Sequence, residues 1–254
     1  MNYMESITTG QVLLALVLVC IALYLSFYFK VNLEKDILVA TIRAFLQLML
    51  IGYLLTFIFN LKSPIYTTVM IFFMAGIATY HAGKRGEAVQ GSYWISGIAI
   101  YGTTIITIGI LSGFGIIPYE PQMIIPVAGM VIGNVMNAAS LALMRMHDEL
   151  KDKQNQIEAA LSLGASPRQA ANPAIQKAIQ ISMIPVIDRA KIVGIVSLPG
   201  GMSGMILAGA SPLAAVRFQV IIMYMLLGSP FLTVGIAVAL GYRQYFTKFM
   251  QLKL

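Results

Sequence analysis

Apolar runs of about 20 residues recur along the chain, and they constrain its fold more than any other feature. A helix of about 20 residues is needed to cross a ~30 Å hydrocarbon core. The 254 residues are 58% hydrophobic and 11% charged, more apolar surface than a water-soluble domain of this length can bury. In hydrocarbon, helices satisfy their own backbone, and a closed barrel would need short alternating strands. The sequence therefore predicts an all-α polytopic membrane protein.

About seven transmembrane helices are predicted, within a single transmembrane domain over 1–254. The predicted spans are 7–29, 37–59, 64–80, 92–114, 122–143, 192–209 and 218–241. A further apolar run, 178–187, is short and has Pro185 near its end. We expect this run to lie along the cytoplasmic interface of the membrane rather than to cross it.

The basic residues predict how the chain is oriented. If the N-terminus is outside, the cytoplasmic segments are 30–36, 81–91, 144–191 and 242–254, which hold 14 of the 17 Lys and Arg residues. Lys and Arg concentrate in cytoplasmic loops of membrane proteins. The N-terminus is therefore predicted outside and the C-terminus in the cytoplasm. The net charge of +7 then reflects orientation, and no nucleic-acid partner is predicted.

The longest cytoplasmic segment contains a short helix whose two ends are specified by sequence. The helix is predicted over Gln154–Leu163, with Gly164 placed to be its left-handed C-terminal residue. Ser166 followed by Pro167 is typical of the N-cap and first turn of a new helix. Such a folded element outside the membrane predicts a contact with another protein. The alternative is an ordinary helix that ends in a glycine cap.

Polar and sulfur-containing residues within the predicted spans are candidates for a translocation path. They are Arg43 and Gln47 on one face of the second span, Asn134, Asn137 and Ser140 at three-residue steps on the fifth, and Met202, Ser203 and Met205 beside a Pro-Gly-Gly sequence in the sixth. Polar groups at membrane depth usually face a bundle interior or a cavity, and broken helices often line one. The alternatives are a snorkelling arginine, interhelical hydrogen bonds of the amides, and gap-filling methionines.

No metal site, nucleotide site or enzyme active site is predicted on this chain. The single cysteine, Cys20, lies in the first apolar run, and His81 and His147 lie far apart in sequence at helix ends. The charged residues Asp188, Arg189 and Lys191 are predicted to form structural ion pairs. The phosphate-binding pattern G-x-x-x-x-G-K-[ST] does not occur, and neither H-E-x-x-H nor G-x-S-x-G is present.

Four segments resemble the bacterial iron-export ABC permease family, which is similar to the plant permease involved in aluminium tolerance. They are Arg43-Ala-Phe-Leu-Gln47, Gly133-Asn-Val-Met-Asn-Ala138, Glu158-Ala-Ala-Leu-Ser-Leu-Gly-Ala165 and Ile187-Asp-Arg-Ala-Lys-Ile-Val-Gly-Ile-Val-Ser-Leu-Pro-Gly200. The third segment also resembles the coupling-helix signature of ABC permeases, Glu-Ala-Ala and a glycine four residues after the second alanine. The chain departs from that signature further on, where Ala174 stands in place of an isoleucine.

The resemblance implies a homodimeric permease in the bacterial cytoplasmic membrane, driven by a separate ABC ATPase subunit that binds ATP and Mg. It implies export of iron or another metal ion by alternating access, with a cytoplasmic coupling region at about 144–191. The residues implied to dock the ATPase are Glu158, Ala159, Ala160, Leu163, Gly164 and Ser166. The alternative is an ATP-independent secondary transporter or channel, although the inner spans lack the carboxylates such proteins often use.

Overall fold

The computed structural model describes residues 9–61 and 63–253, and in these ranges the fold is helical with no β-strand. The helices are α1 Thr9–Phe29, α2 Glu34–Leu61, α3 Pro64–Arg85, α4 Ser92–Gly113, α5 Pro121–Asp152, α6 Gln154–Ser162, α7 Pro167–Ile192, α8 Gly200–Leu207 and α9 Pro212–Gly241, followed by a 3₁₀ turn at Tyr242–Tyr245. The predicted all-α class is confirmed. The first two residues of the predicted span 7–29 lie outside the described residues.

Five of the described helices are long and apolar enough to cross a membrane. They are α2, α3, α4, α5 and the segment Pro212–Tyr245, while Leu14–Phe29 of α1 is a shorter apolar helix. These helices agree with the predicted multi-pass character. The predicted number of seven is not confirmed, because the sixth predicted span is interrupted and the apolar part of α1 is shorter than the other spans.

That sixth span, 192–209, is not one helix. Helix α7 ends at Ile192, and α8 has only eight residues, too few to cross a bilayer alone. Between them the backbone is irregular, with a φ of +85° at Gly194. Pro199 is extended and becomes the N-cap of α8. The prediction of one continuous crossing was wrong because glycine and proline override an apolar composition here.

The segment 178–187 lies within α7, which packs lengthwise against α5 and α9. Its buried residues are mostly small, which lets the helices approach closely: Ala170, Ala171, Ala174, Ala178, Ser182 and Met183. Lys153 at the end of α5 donates to the Pro173 carbonyl (3.3 Å), while Arg189 donates to Asn134 (2.9 Å). The two helices therefore run antiparallel. The segment 178–187 is therefore part of a longer helix packed on α5 and α9, and its position at the membrane interface stays a prediction.

Helix α5 is the centre of the bundle. Val131, Val135, Ala139 and Ala142 are completely buried along it, at steps of three or four residues. They pack against α3, α4, α7 and α9 in two apolar clusters, one of which also holds Ile157 of α6. The α1–α2 hairpin is largely exposed by comparison. Helix α6 therefore follows directly on the most buried helix of the bundle.

Candidate functional sites

Helix α6 is a nine-residue helix between α5 and α7. The helix predicted over Gln154–Leu163 is confirmed, with Leu163 as its C-cap rather than its last turn. Ile157 is only 1% exposed and anchors α6 to the bundle, whereas Leu163 is 90% exposed. The helix therefore presents a large apolar side chain on a firmly attached base.

The predicted ends of α6 and α7 are also confirmed. Gly164 has a φ of +90° and its N–H donates to the Leu161 carbonyl at 2.9 Å, closing a left-handed cap. Ser166 is the N-cap of α7 in a capping box with Gln169, whose side chain accepts from the Ser166 N–H at 2.9 Å. These local hydrogen bonds fix the angle between the two helices.

The remaining coupling candidates face solvent or the edge of a cleft. Glu158 is exposed and accepts a hydrogen bond from Gln154 at 2.8 Å, Ala159 is exposed, and Ala160 is half-buried. Glu158 and Gly164 line a cleft of about 690 Å³ whose other wall is the C-terminal segment. Sequence reasoning missed that wall, in which Phe249 is 85% exposed. The available signal was an aromatic residue, Phe249, between Lys248 and Lys253 after the last predicted span.

The polar face of α5 (Asn134 and Asn137) holds two arginines from other helices. Asn134 donates from Nδ2 to the Met130 carbonyl at 2.8 Å, and its Oδ1 accepts from Arg189 of α7 at 2.9 Å. Asn137 Oδ1 accepts from Arg85 of α3 at 3.4 Å. Ser140 is buried and donates to a carbonyl of its own helix, so it faces the core instead.

Neither arginine on this face is neutralised by a carboxylate among the described residues. Asp188, next to Arg189, pairs instead with Lys191 at 3.2 Å. A guanidinium is costly in lipid and is normally covered by protein or water. The polar face of α5 is therefore a poor lipid-facing surface, and it is suited to a water-filled path or a protein interface.

Asn134 should stabilise the chain mainly through Arg189. We expect Asn134→Leu to lower stability by about 1 kcal/mol, because the guanidinium loses its acceptor. The double variant Asn134→Leu/Arg189→Leu should recover part of that loss. Thermal unfolding of the original chain, the two single variants and the double variant would measure this coupling. Strictly additive effects would show that the two side chains do not interact in the membrane.

The other predicted path residues lie elsewhere in the fold. Arg43 and Gln47 are exposed on α2, on the peripheral hairpin. Met202, Ser203 and Met205 are half-buried on α8, and only Met202 lines the cavity between α8 and α9. The structure therefore brings together the amides of α5 with two arginines, and leaves the α2 and α8 candidates at separate places.

The described part of the chain contains no group of three or more His, Cys, Asp or Glu residues placed to hold a metal ion. His147 is engaged elsewhere, with Nδ1 2.9 Å from the Tyr245 hydroxyl. Cys20 is exposed on α1. A metal ion crossing this fold would meet amides, carbonyls and thioethers.

Residues 9–246 match the family described as "Uncharacterised protein family (UPF0014)", which covers nearly the whole chain. The chain belongs to the UPF0014 family. The resemblance found from the four sequence segments is thereby confirmed at family level. The long apolar helices and the names of the relatives agree that UPF0014 proteins are multi-pass membrane proteins.

Three relatives show how far the similarity extends. The "UPF0014 membrane protein YjkA" of Bacillus subtilis is 42% identical, covering 94% of this chain and 96% of the relative. The "Probable iron export permease protein FetB" of Escherichia coli is 39% identical, covering 98% and 96%. "Protein ALUMINUM SENSITIVE 3" of Arabidopsis thaliana is 38% identical, covering 94% and 88%. No solved structure matches the chain.

Proposed function

We propose that this chain is the permease subunit of an ABC transporter and that a separate ATPase subunit docks on α6. The permease acts as a homodimer in the bacterial cytoplasmic membrane and exports iron or another metal ion by alternating access. The name of the E. coli relative, a probable iron export permease, supports the cargo. ATP and Mg belong to the partner subunit in this proposal.

The exposed helix α6, closed at its C-terminal end by Gly164, is the observation that carries the proposal. Leu163 is 90% exposed next to a glycine that closes the helix, in the segment that the basic residues assign to the cytoplasm. An exposed leucine on a rigid base is suited to a hydrophobic pocket of a partner protein.

The attachment of α6 explains how docking would move the membrane helices. Covalent continuity joins α6 to α5 and α7, and Ile157 buries its other face against them. A displacement of α6 is therefore transmitted to the two helices that carry Asn134 and Arg189. Closure of two ATPase subunits would change the exposure of the polar face of α5 in this way.

Reversal of the charge at Glu158 tests the docking site. We expect Glu158→Arg to weaken the complex with the proposed ATPase subunit by about fivefold, which corresponds to the ~1 kcal/mol expected of an exposed charge. The measurement is co-purification and ATP turnover of the reconstituted complex. Glu87→Arg makes the same charge change in another cytoplasmic loop and should bind normally. Equal binding by both variants would contradict docking at α6.

Transport of ferrous ion into inside-out vesicles tests the energy source. The proposal requires that uptake depend on both ATP and the partner subunit. Equal uptake by the chain alone would instead favour the ATP-independent transporter or channel.

A further inference from the structure

A cavity of about 520 Å³ lies where the helix is broken between α7 and α8. Its walls come from the end of α7, the irregular segment, α8 and the first half of α9. They are mostly apolar, and include Val193, Leu198, Met202, Val216, Val220 and Met223. The volume is within the usual range of small-molecule sites, about 300–1,000 Å³.

One buried amide faces this cavity. Gln219 of α9 is only 8% exposed and lines the cavity wall, yet its side chain has no hydrogen-bond partner among the described residues. Its nitrogen and oxygen are not among the fully enclosed unpaired polar atoms of the described residues, so they are open to the cavity. A ligand in the cavity can therefore accept a hydrogen bond from its N–H or donate one to its carbonyl oxygen.

Helix α8 begins at the edge of the same cavity, where Pro199 and Met202 line the wall. It begins at Gly200, and its N-cap, Pro199, makes no side-chain cap hydrogen bond, so the N–H groups of its first turn have no helical acceptor. Gln219 Oε1 lies 3.7 Å from the position that a β-carbon on Gly201 would occupy. The Gln219 amide therefore lies next to the start of α8, at ordinary van der Waals distance from that position.

The chemistry of the walls restricts the ligand. No side chain that lines the cavity is charged. A full charge would therefore be buried without a counter-ion, at a high cost in free energy. A divalent cation would find thioethers and one amide there, but no carboxylate, imidazole or thiolate.

We propose that this cavity binds an uncharged organic solute with a carbonyl or hydroxyl oxygen on an apolar body. The oxygen is hydrogen-bonded by Gln219 and the first turn of α8, and the apolar body fills the space between α8 and α9. Irregular backbone between two helix segments is where transporters commonly hold their solutes. The inference rests on the proposed function only in treating the bound molecule as cargo, for example a metal in a neutral complex.

Fluorine NMR on the purified chain in nanodiscs, without an ATPase, tests the site. The probes are fluorinated amides, ketones and alcohols, each with its carboxylate counterpart, and ferrous and cuprous ions are tested separately. We expect saturable binding of neutral probes that is weakened about tenfold in Gln219→Leu, the ~1.4 kcal/mol of one buried hydrogen bond. Gln180→Leu makes the same substitution at an exposed position of α7 and should bind like the original chain.

A second variant, Gly201→Val, fills the space beside the amide without removing it, and should also block the neutral probes. The proposal is overturned if no neutral probe binds saturably. It is also overturned if the signal is unchanged in Gln219→Leu, which is the result expected when probes only partition into lipid. Binding of carboxylates or metal ions alone that depends on Gln219 would contradict it as well. Because no ATPase is present, such a failure leaves docking on α6 standing. Conversely, normal docking by Glu158→Arg would contradict the docking site but would not affect the proposal for this cavity.

Discussion

Gly164→Val should reduce ATP-driven transport more than tenfold while the helical bundle stays folded. Gly164 has a φ of +90°, a conformation that a β-branched residue rarely adopts. Forcing valine there costs about 1–3 kcal/mol of local strain. The chain relieves this strain by opening the cap, in which Ala165 N–H donates to the Ala160 carbonyl at 3.0 Å. Leu163 then leaves its position, and turnover and vesicle flux with the partner ATPase would record the loss.

Two matched variants separate docking from general strain. Gly164→Asn should keep most of the transport, because asparagine tolerates the left-handed conformation far better than valine. Gly115→Val introduces the same residue at a φ of +68° in the connection between α4 and α5, far along the chain from α6. If Gly115→Val lowers transport as much as Gly164→Val, strain alone explains the effect. Normal transport by Gly164→Val would contradict a coupling role for α6 and its glycine cap.

The end of α6 and the start of α7 could be predicted because cap chemistry is local. The left-handed glycine at 164 and the Ser-Pro pair that begins α7 act on neighbouring residues only. The amides of α5 could likewise be found from their spacing along one helix. Their partners could not, because Arg85 and Arg189 are 52 and 55 residues away in sequence. Which arginine reaches which amide depends on how α3 and α7 pack against α5.

The region 192–219 shows where the periodicity of apolar residues is insufficient. Its composition is that of a span, but Gly194 and Pro199 divide it into an irregular segment and a short helix. Gln219 is visible in the sequence as an amide near the start of the apolar run 218–241. Its position at a cavity results from the irregular backbone before α8, so the sequence could not indicate it until that interruption was known.

Gly83→Ala should destabilise the chain by about 2–3 kcal/mol, a large effect for one methyl group. A β-carbon on Gly83 of α3 would lie 2.9 Å from the Cα of Tyr93 on α4 and 2.5 Å from its Cδ1. The Cα of Tyr93 is a backbone atom that cannot turn aside as a side chain can, so α4 as a whole must move away. That movement also breaks the buried hydrogen bond from Ser92 Oγ to the Gly83 carbonyl, at 2.8 Å. A thermal unfolding midpoint about 4–12 °C lower is expected for a chain of this size.

Gly102→Ala is the control for the alanine itself, because a β-carbon there meets nothing within 4 Å outside its own helix. Alanine is the better helix former by up to about 1 kcal/mol, so this variant should be neutral or slightly more stable. Opposite signs at the two positions would establish that α3 and α4 touch at Gly83. A midpoint unchanged by Gly83→Ala would mean that the helices are further apart in the membrane. The position of Arg85, two residues along α3, would then also change, and with it the hydrogen bond to Asn137 on the polar face of α5.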